Sequence, residues 1–386
     1  LAVGRISKDP SLNLGHRLDY VVLQEECETS RALIRFIDFG KFSSAFIGPL
    51  NPDFCEVATL LGENWNKALF SWMCVNYKLD FTIHHSPFAR TLPSPTQVLF
   101  TIMKYFKWAH VGIIASSEDI WINTANKLAS ALRNEGLPVG IVTSIHKGEK
   151  GIEDTWNEIK GVGSIRIIVL CMHSVLIGGE EQAILLTKAL EMGLADGRYV
   201  FVPYDTLLYS LPHQNNSFNV FDNNSKLREA YDAVLTITLA SGDRTFYDAF
   251  TEAKESGEIT RDLDVTEVSP LFGTIYDAVY FMAMAIDSAR RKGVRKLGSN
   301  IAQHTKNLSF PGFSHWIETD NCGRGLSNYM ILDTDGRGNQ LFPTHLVDMS
   351  SGSVKSLGRA IHFPSGAPPK SDSSCWFDPD VLCTGG

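Results

Sequence analysis

The sequence lacks the features that mark several large classes of protein. No apolar run reaches the roughly 18 residues of a membrane-spanning helix, and residues 1–10 are too polar for a secretory signal. The GxGxxG, P-loop, HExxH and GxSxG motifs are also absent. These absences exclude the most readily recognised nucleotide-binding, zinc-protease and hydrolase sites.

Positive charge is scarce, with 35 basic residues against 43 acidic ones and a net charge of −8. Nucleic-acid-binding proteins usually carry a basic excess or stripe, so no nucleic-acid partner is expected. Only 20% of the residues are charged and 44% are hydrophobic, which excludes global disorder and allows sizeable cores. A chain of 386 residues then predicts two or three globular units.

Cysteine is sparse, and its seven residues form no CxxC pair. This spacing argues against a zinc site and against dithiol redox chemistry. The odd number leaves at least one thiol free or paired with another chain. Cys375 and Cys383 lie close together in the tail, and three Asn-x-Ser sequons could accept glycans, which together favour an extracellular location. The sequons begin at Asn215, Asn223 and Asn307.

Short apolar runs alternate with longer amphipathic segments over the first half of the chain. Runs of this kind are typical of buried parallel strands. Ser94 and Pro95 form a helix start, because a capping side chain is followed by proline at the first helical position. The alternation predicts an α/β fold, with mostly parallel sheets flanked by helices. The predicted strands occupy residues 43–48, 68–73, 110–116, 139–145, 165–171 and 199–204.

The pattern changes after residue 268. Residues 269–293 predict one long apolar helix with a basic end, and the segments after it predict strands joined by tight turns. A late helix that returns to an earlier sheet indicates two lobes that exchange chain segments. The expected lobe one comprises residues 1–98 and 273–305, lobe two comprises 99–265 and 312–357, and residues 364–386 form a juxtamembrane tail.

The beginning of the chain is unusual for such a lobe. Residues 1–6 have the character of the last turns of a helix, and the first predicted strand is DYVVLQE, residues 19–25. We therefore expect a chain truncated at its N-terminus, whose lobe-one sheet lacks the first strand.

Three motifs suggest chemistry, and each has a simpler structural interpretation. Residues 333–339 resemble a calcium loop but lack the third acidic ligand and the bidentate glutamate, so a hairpin turn is favoured. His84 and His85 lack a third metal ligand and fit a solvated loop. Glu180 and Glu181 stand where a helix should begin, where acidic side chains complement the helix dipole. No metal, cofactor or catalytic residue is expected.

Tyr276 and Asp277 lie in the first turn of the long late helix. In a two-lobed binding fold, a helix start beside the carboxyl end of a strand faces the cleft, where its side chains can meet a ligand. The pair could equally be a surface pair that caps its own helix. Both interpretations stay open.

Three longer motifs closely resemble a known family. They are CMHSVLIGGEEQ at residues 171–182, SPLFGTIYDAV at 269–279 and CWFDPDVLC at 375–383. The sequence is similar to the extracellular domain of the receptor guanylyl cyclases, in their retinal and olfactory branch. Residues 48–55 and 72–74 fit the same branch, and the resemblance extends from about residue 19 to the end.

The resemblance implies a two-lobed type I periplasmic-binding-protein fold, with lobes joined by crossing strands. Such domains lie outside the cell or inside the photoreceptor disc, before a single transmembrane helix that is not part of this sequence. The cyclase domain, which makes cyclic GMP from GTP, lies on the other side, so the chain itself should not be an enzyme. A homodimer that senses a small solute or a peptide is implied. The alternative is a structural ectodomain without a ligand, controlled from the intracellular side.

Eight residues are the expected cleft positions, because each stands near the carboxyl end of a predicted strand or at a helix start. They are Gly48, Pro49, Cys74, Ser116, Tyr204, Asp205, Tyr276 and Asp277.

Two disulfides are expected from the family resemblance and from position. Cys27 and Cys55 flank a predicted strand–helix–strand unit, and the family pairs cysteines at matching positions. Cys375 and Cys383 are expected to close a small ring within the chain, the alternative being bonds across a dimer. The remaining cysteines are expected to be buried thiols: Cys74, Cys171 and Cys322.

Overall fold

The computed structural model describes residues 1–23, 29–49, 51–74, 87–146, 148–213, 216–242, 244–369 and 374–377. The chain divides into two compact units. Unit one contains the described parts of Leu1–Ser94, Leu208–Ser210 and Ser241–Ser327. Unit two contains those of Pro95–Leu207, Leu211–Ala240 and Asn328–Gly386.

The helices are α1 (Ala2–Lys8), α2 (Thr29–Gly40), α3 (Pro52–Asn64), α4 (Pro95–Phe106), α5 (Asp119–Asn134), α6 (Glu149–Gly161), α7 (Glu180–Glu191), α8 (Ser225–Ala230), α9 (Phe246–Glu255) and α10 (Leu271–Arg291). The strands are β1 (Ala45–Ile47), β2 (Ala68–Ser71), β3 (Phe88–Arg90), β4 (Val111–Ala115), β5 (Val139–Ser144), β6 (Ile167–Cys171), β7 (Val200–Pro203), β8 (Thr236–Leu239), β9 (Ser309–Pro311), β10 (Trp316–Glu318), β11 (Tyr329–Asp333), β12 (Phe342–Asp348) and β13 (Ser353–Ser356).

Unit one is built on a parallel sheet of strand order β1-β2-β3. Its strands are apolar because helices cover them, and α10 is one of these helices. The Phe281 ring of α10 meets the Phe70 ring of β2 edge-on, with ring centres 5.7 Å apart. Phe281 also stacks on Phe310 of β9, at 6.1 Å. Unit one therefore joins segments that lie far apart in the sequence.

Unit two contains two sheets. The parallel sheet has the order β5-β4-β6-β7, and the antiparallel sheet has the order β13-β12-β11-β8. Helix α5 covers the parallel sheet with the buried Trp121, Leu128 and Leu132, and Gly136 follows it with φ of 85°. That left-handed conformation suits glycine, which explains why the helix ends there.

The fold class predicted from the sequence is confirmed. All six predicted strands of the first half exist, and the predicted helix start at Pro95 is the first residue of α4. Residues 333–339 begin the connection between antiparallel strands β11 and β12, as a hairpin requires. Glu180 and Glu181 occupy the first turn of α7. His84 and His85 lie outside the described residues.

Residues 95–98, predicted for lobe one, lie in unit two, and residues 208–210, predicted for lobe two, lie in unit one. Two longer segments, 241–265 and 312–327, are also predicted for lobe two, but their described parts lie in unit one. The reason is an aromatic cluster: Phe246 of α9 packs against Phe313 with ring centres 5.4 Å apart, and Phe313 packs against Tyr276 of α10 at 5.1 Å. These rings hold both segments against the long helix.

The predicted strand at residues 19–25 is wrong over its described part. Residues 19–23 are irregular, and Tyr20, Val21 and Val22 expose more than 60% of their surface, so nothing covers the apolar run. The predicted helical character of residues 1–6 is confirmed by α1. Within the described residues, no helix is both long and apolar enough to span a membrane.

Candidate functional site

At the carboxyl edge of the parallel sheet in unit two the chain changes direction between β4 and β6, and we call the strand ends at this point the switch-point crevice. From β4 the chain moves outward to β5 and then returns to β6 on the other side of β4. Open α/β sheets bind ligands at such a switch point, beyond the carboxyl ends of the two central strands. Ser116 directly follows β4, and its N–H donates to the carbonyl of Cys171 at the end of β6, at 3.0 Å.

His173 is an accessible polar side chain at this edge, and Ser117, Glu118 and Asp119 after β4 are exposed as well. Its imidazole is 53% exposed, and its Nδ1 lies 4.0 Å from Oδ2 of the buried Asp205. The same Oδ2 accepts a hydrogen bond from the N–H of Ser174, at 2.7 Å. The Trp121 ring meets the His173 ring edge-on, with centres 5.1 Å apart. An imidazole and an indole thus stand beside a fixed carboxylate.

Burial and neighbouring charges shift the pKa of His173 in opposite directions. Desolvation lowers the pKa of its imidazole, while Glu118 and Glu181 oppose that shift. Deeper in the crevice, burial raises the pKa of the Cys171 thiol, so this cysteine is a neutral core group and not a nucleophile. Burial likewise raises the pKa of Tyr231, whose hydroxyl bonds to Thr236 Oγ1 at 2.9 Å.

Three predicted cleft residues therefore belong to this edge of unit two: Ser116, Tyr204 and Asp205. Tyr204 follows β7, and its N–H donates to the carbonyl of Leu170 at 2.9 Å. All three side chains are buried. His173 and Trp121 were missed, although their signal was present, because the CMHS motif directly follows a strand and Trp121 lies in the first helix turn after another.

Three further predicted residues lie together in unit one, beyond β1 and β2. The peptide bond from Gly48 to Pro49 is cis. The Pro49 carbonyl oxygen lies 3.9 Å from the sulfur of Cys55 and 3.6 Å from that of Cys74. Arg90 donates to the Cys74 carbonyl at 2.9 Å. This arrangement is a packed and cross-linked corner of unit one.

The predicted disulfide between Cys27 and Cys55 is wrong for Cys55, which is bonded to Cys74. The two Cα atoms are 6.1 Å apart, within the range that a disulfide requires. Because β1 and β2 are parallel neighbours, the turn after each strand reaches the same edge, and this brings the two cysteines together. Cys74 is therefore not a free thiol. Cys27 lies outside the described residues.

Two of the remaining cysteines, Cys171 and Cys322, have described side chains. Cys171 is free and buried, as predicted, whereas Cys322 is free and half-buried. The side chain of Cys375 and the whole of Cys383 lie outside the described residues, so their ring stays a prediction.

The interpretation of Tyr276 and Asp277 as a surface pair is wrong for Asp277, and their place in a cleft stays a prediction. Both lie inside α10, and Asp277 exposes only 1% of its surface. Its Oδ1 accepts a hydrogen bond from the N–H of Phe313 at 2.6 Å, and its Oδ2 lies 3.7 Å from Nδ1 of the buried His315. Asp277 therefore anchors the β9–β10 turn within unit one and is not a surface cap.

Two of the three sequons lie in described parts of the chain. The side chains of Asn223 and Asn307 are exposed, as a glycan acceptor requires. Asn215 lies outside the described residues, so all three positions remain predictions. In the part of the chain that the structure describes, no cluster of three or more histidine, cysteine or acidic residues could hold a metal ion.

Two α/β units with parallel sheets define the class of this protein. The chain belongs to the family described as the receptor family ligand binding region, which matches residues 1–337. More particularly, it is 51% identical over its whole length to retinal guanylyl cyclase 2 of Bos taurus. It is 46% identical to guanylate cyclase 2D and 38% identical to retinal guanylyl cyclase 1, both of Rattus norvegicus. The family resemblance is confirmed.

The chain spans about a third of these relatives, namely 35% of the bovine protein and 34% of each rat protein. The matched part is a ligand-binding region, and the match covers no catalytic domain of a cyclase.

Proposed function

We propose that this chain is the extracellular ligand-sensing region of a single-pass membrane guanylyl cyclase. The observation that carries the proposal is the match of the whole chain to guanylyl cyclases, within a region defined by ligand binding. The cyclase domain and the transmembrane helix would lie in other parts of the full-length protein. Binding to this region would act by favouring one arrangement of a dimer over another.

The switch-point crevice of unit two is the proposed contact for the ligand. Its accessible groups are the His173 imidazole and the side chains around it, which suit a small polar solute or the polar end of a peptide. The alternative is a structural ectodomain without a ligand. That alternative is supported by the internal hydrogen bond to Asp205 and by the burial of Ser116, because neither side chain is then directed toward a ligand.

Replacement of His173 by alanine should weaken ligand binding at least tenfold, because it removes an exposed polar group of the crevice. The test is thermal unfolding of the chain with bicarbonate and with short peptides over a range of concentrations. A ligand at 100 times its dissociation constant stabilises the folded state by about 2.7 kcal/mol. We expect stabilisation of the native chain and little in the variant.

The matched control is His110→Ala, because His110 is partly exposed and directly precedes β4, at the amino edge of the same sheet. It should behave like the native chain. A ligand that stabilises the native chain and His173→Ala equally would place the contact elsewhere. If no probe stabilises the native chain, the structural alternative is favoured.

A homodimer is the proposed assembly, and helices α2 and α3 offer the surface for it. Ile34 and Ile37 of α2 are 61% and 45% exposed, while Val57 and Leu60 of α3 are 40% and 57% exposed. Apolar side chains concentrated in this way are typical of protein–protein contacts. The same helices bury Phe36 and Phe54 in the core, so the exposed side chains are not needed for packing the unit.

Ile37→Asp should raise the dissociation constant of the homodimer at least tenfold, because a carboxylate would be desolvated at the contact. Sedimentation velocity over a concentration series measures this constant. Ile184→Asp is the control, since Ile184 is an equally exposed apolar residue of α7 in unit two. An unchanged constant for Ile37→Asp would exclude this surface, and a native chain that stays monomeric would exclude the dimer.

A further inference from the structure

The chain that follows β13 lies along unit two as an irregular segment, residues 357–369, which we call the strap. It contains a turn in which the N–H of Gly366 donates to the Phe363 carbonyl at 2.7 Å. The strap begins with the N–H of Leu357 donating to the Thr344 carbonyl at 2.8 Å. The guanidinium carbon of Arg359 then sits 3.6 Å from the centre of the Phe342 ring. Further on, Ser365 packs against Gly197, where a Cβ would come within 2.4 Å of the serine hydroxyl. Only glycine allows that approach.

His362 fastens the middle of the strap between two carboxylates. Its backbone N–H donates to Oδ2 of Asp333 at 2.6 Å. Its ring Nδ1 lies 2.7 Å from Oδ1 of Asp232. Asp333 is the last residue of β11, and Asp232 lies in the 3₁₀ turn Tyr231–Ala233, so one strap residue bridges two separate elements.

The carboxylates are enclosed by the turn between β11 and β12. A Cβ on Gly336 would lie 3.0 Å from Cβ of Asp232, so this turn packs over Asp232. Burial raises the pKa of Asp232, and the hydrogen bond with His362 opposes that shift. Of the residues in the turn, Asp335 adds to the rise and Arg337 opposes it. Asp333 exposes only 3% of its surface, and its Oδ1 has no hydrogen-bond partner within the described residues.

We propose that Asp232, Asp333 and His362 form a proton-operated clasp that holds the strap on unit two and releases it as the pH rises. The site contains two carboxylates and the half-exposed imidazole of His362, with Asp335 and Arg337 beside them. While Asp333 carries a proton, one of the two carboxylates, that of Asp232, is charged beside His362. When Asp333 has lost its proton, two charged carboxylates contact the same strap residue. The clasp does not depend on the proposed ligand or on the cyclase.

The direction in which strap closing depends on pH follows from proton linkage. Burial raises the pKa of Asp333 from 3.8 to about 7 while the strap covers it. Opening the strap returns this carboxyl to water and to its ordinary pKa. With the strap closed, Asp333 therefore binds a proton that it does not bind with the strap open. The free energy that favours the closed strap falls as the pH rises through about 7. Between pH 6 and pH 8, the equilibrium constant for closing should fall about tenfold.

Hydrogen exchange of the whole 386-residue chain tests the clasp. Peptides that cover the strap are followed by mass spectrometry at pH 6 and pH 8, with exchange rates corrected for their intrinsic pH dependence. We expect about tenfold less protection of the strap at pH 8. Asp333→Asn keeps an acceptor for the His362 N–H but cannot ionise, so its protection should be equal at both pH values. Asp262→Asn is the control, because the Asp262 side chain is fully exposed.

Equal protection of the native strap at pH 6 and pH 8 would overturn the proposal. So would an Asp333→Asn variant that keeps the native pH dependence. If Asp333→Asn does not fold, His362→Ala provides a second test, because it removes the ring bond to Asp232 and keeps the backbone N–H. That variant should show weak strap protection at both pH values, and native behaviour would contradict the clasp.

Discussion

Joint replacement of Cys55 and Cys74 by alanine is expected to lower the free energy of unfolding of unit one by about 3 kcal/mol. The disulfide closes a loop between residues 19 apart, and a loop of that length restricts the unfolded chain by this amount in the chain-entropy model. Both cysteines are fully buried, so the lost sulfur contacts add to the effect. Hydrogen exchange of β1 and β2 in denaturant measures the opening of unit one.

The same experiment contains its controls. Peptides from β4 and β6 report on unit two, whose stability should not change. Cys322→Ala removes a free, half-buried cysteine of unit one and should cost much less. If reduction and the double variant both leave the exchange of β1 and β2 unchanged, the cross-link does not stabilise the unit.

Raising the pH from 6.5 to 8.5 is expected to destabilise unit one by about 2 kcal/mol through Asp277 and His315. Burial raises the pKa of Asp277 to about 8 and lowers that of His315 to about 4. Between pH 4 and 6.5 the pair holds one proton in the folded state, on Asp277, and one in the unfolded state, on His315. Their contributions to the pH dependence therefore cancel in that range.

Above pH 6.5 the unfolded pair has lost its proton, while the folded pair keeps one until about pH 8. Folding is then linked to proton uptake, and its stability is lost as the pH rises through the raised pKa of Asp277. Asp277→Asn should remove this loss in unit one, as measured by exchange of β2 in denaturant at both pH values. Asp262→Asn, at a fully exposed site of the same unit, should keep it. A native unit one that is equally stable at pH 6.5 and 8.5 would show that the pair is not protonated as described.

Local patterns were enough to predict most strands and helices, residues 19–23 being an exception, but not the partners of these elements. The apolar run at residues 68–73 predicts β2 because strand burial is visible in four consecutive residues. The partner of Cys55 depends instead on the strand order, which places the turns after β1 and β2 at one edge. With the parallel neighbours known, Cys74 would have been the expected partner.

Asp277 illustrates the same limit in the candidate sites. Its position near a helix start suggested a cleft or a cap, because sequence shows the helix but not what packs on it. The turn that contacts it begins at residue 312, far along the chain. His173 differs, since its motif follows a recognisable strand, and the strand order then places it at the switch point. Burial of Ser116 and Asp205 was not foreseen, because it depends on loops that close over the strand ends.

The core of unit one also determines when this unit can form during synthesis. Phe70 of β2 packs in one cluster with Phe281, Phe310 and Ile317. At ribosomal rates of about 5–20 residues per second, about 250 further residues take roughly 12 to 50 seconds to appear. The parallel sheet of unit two comes from one uninterrupted stretch, Pro95–Leu207, and can fold in the meantime. The cluster around Phe70 can therefore be completed only after residue 317 has been made, and a chain that ends before that residue should lack a complete core in unit one.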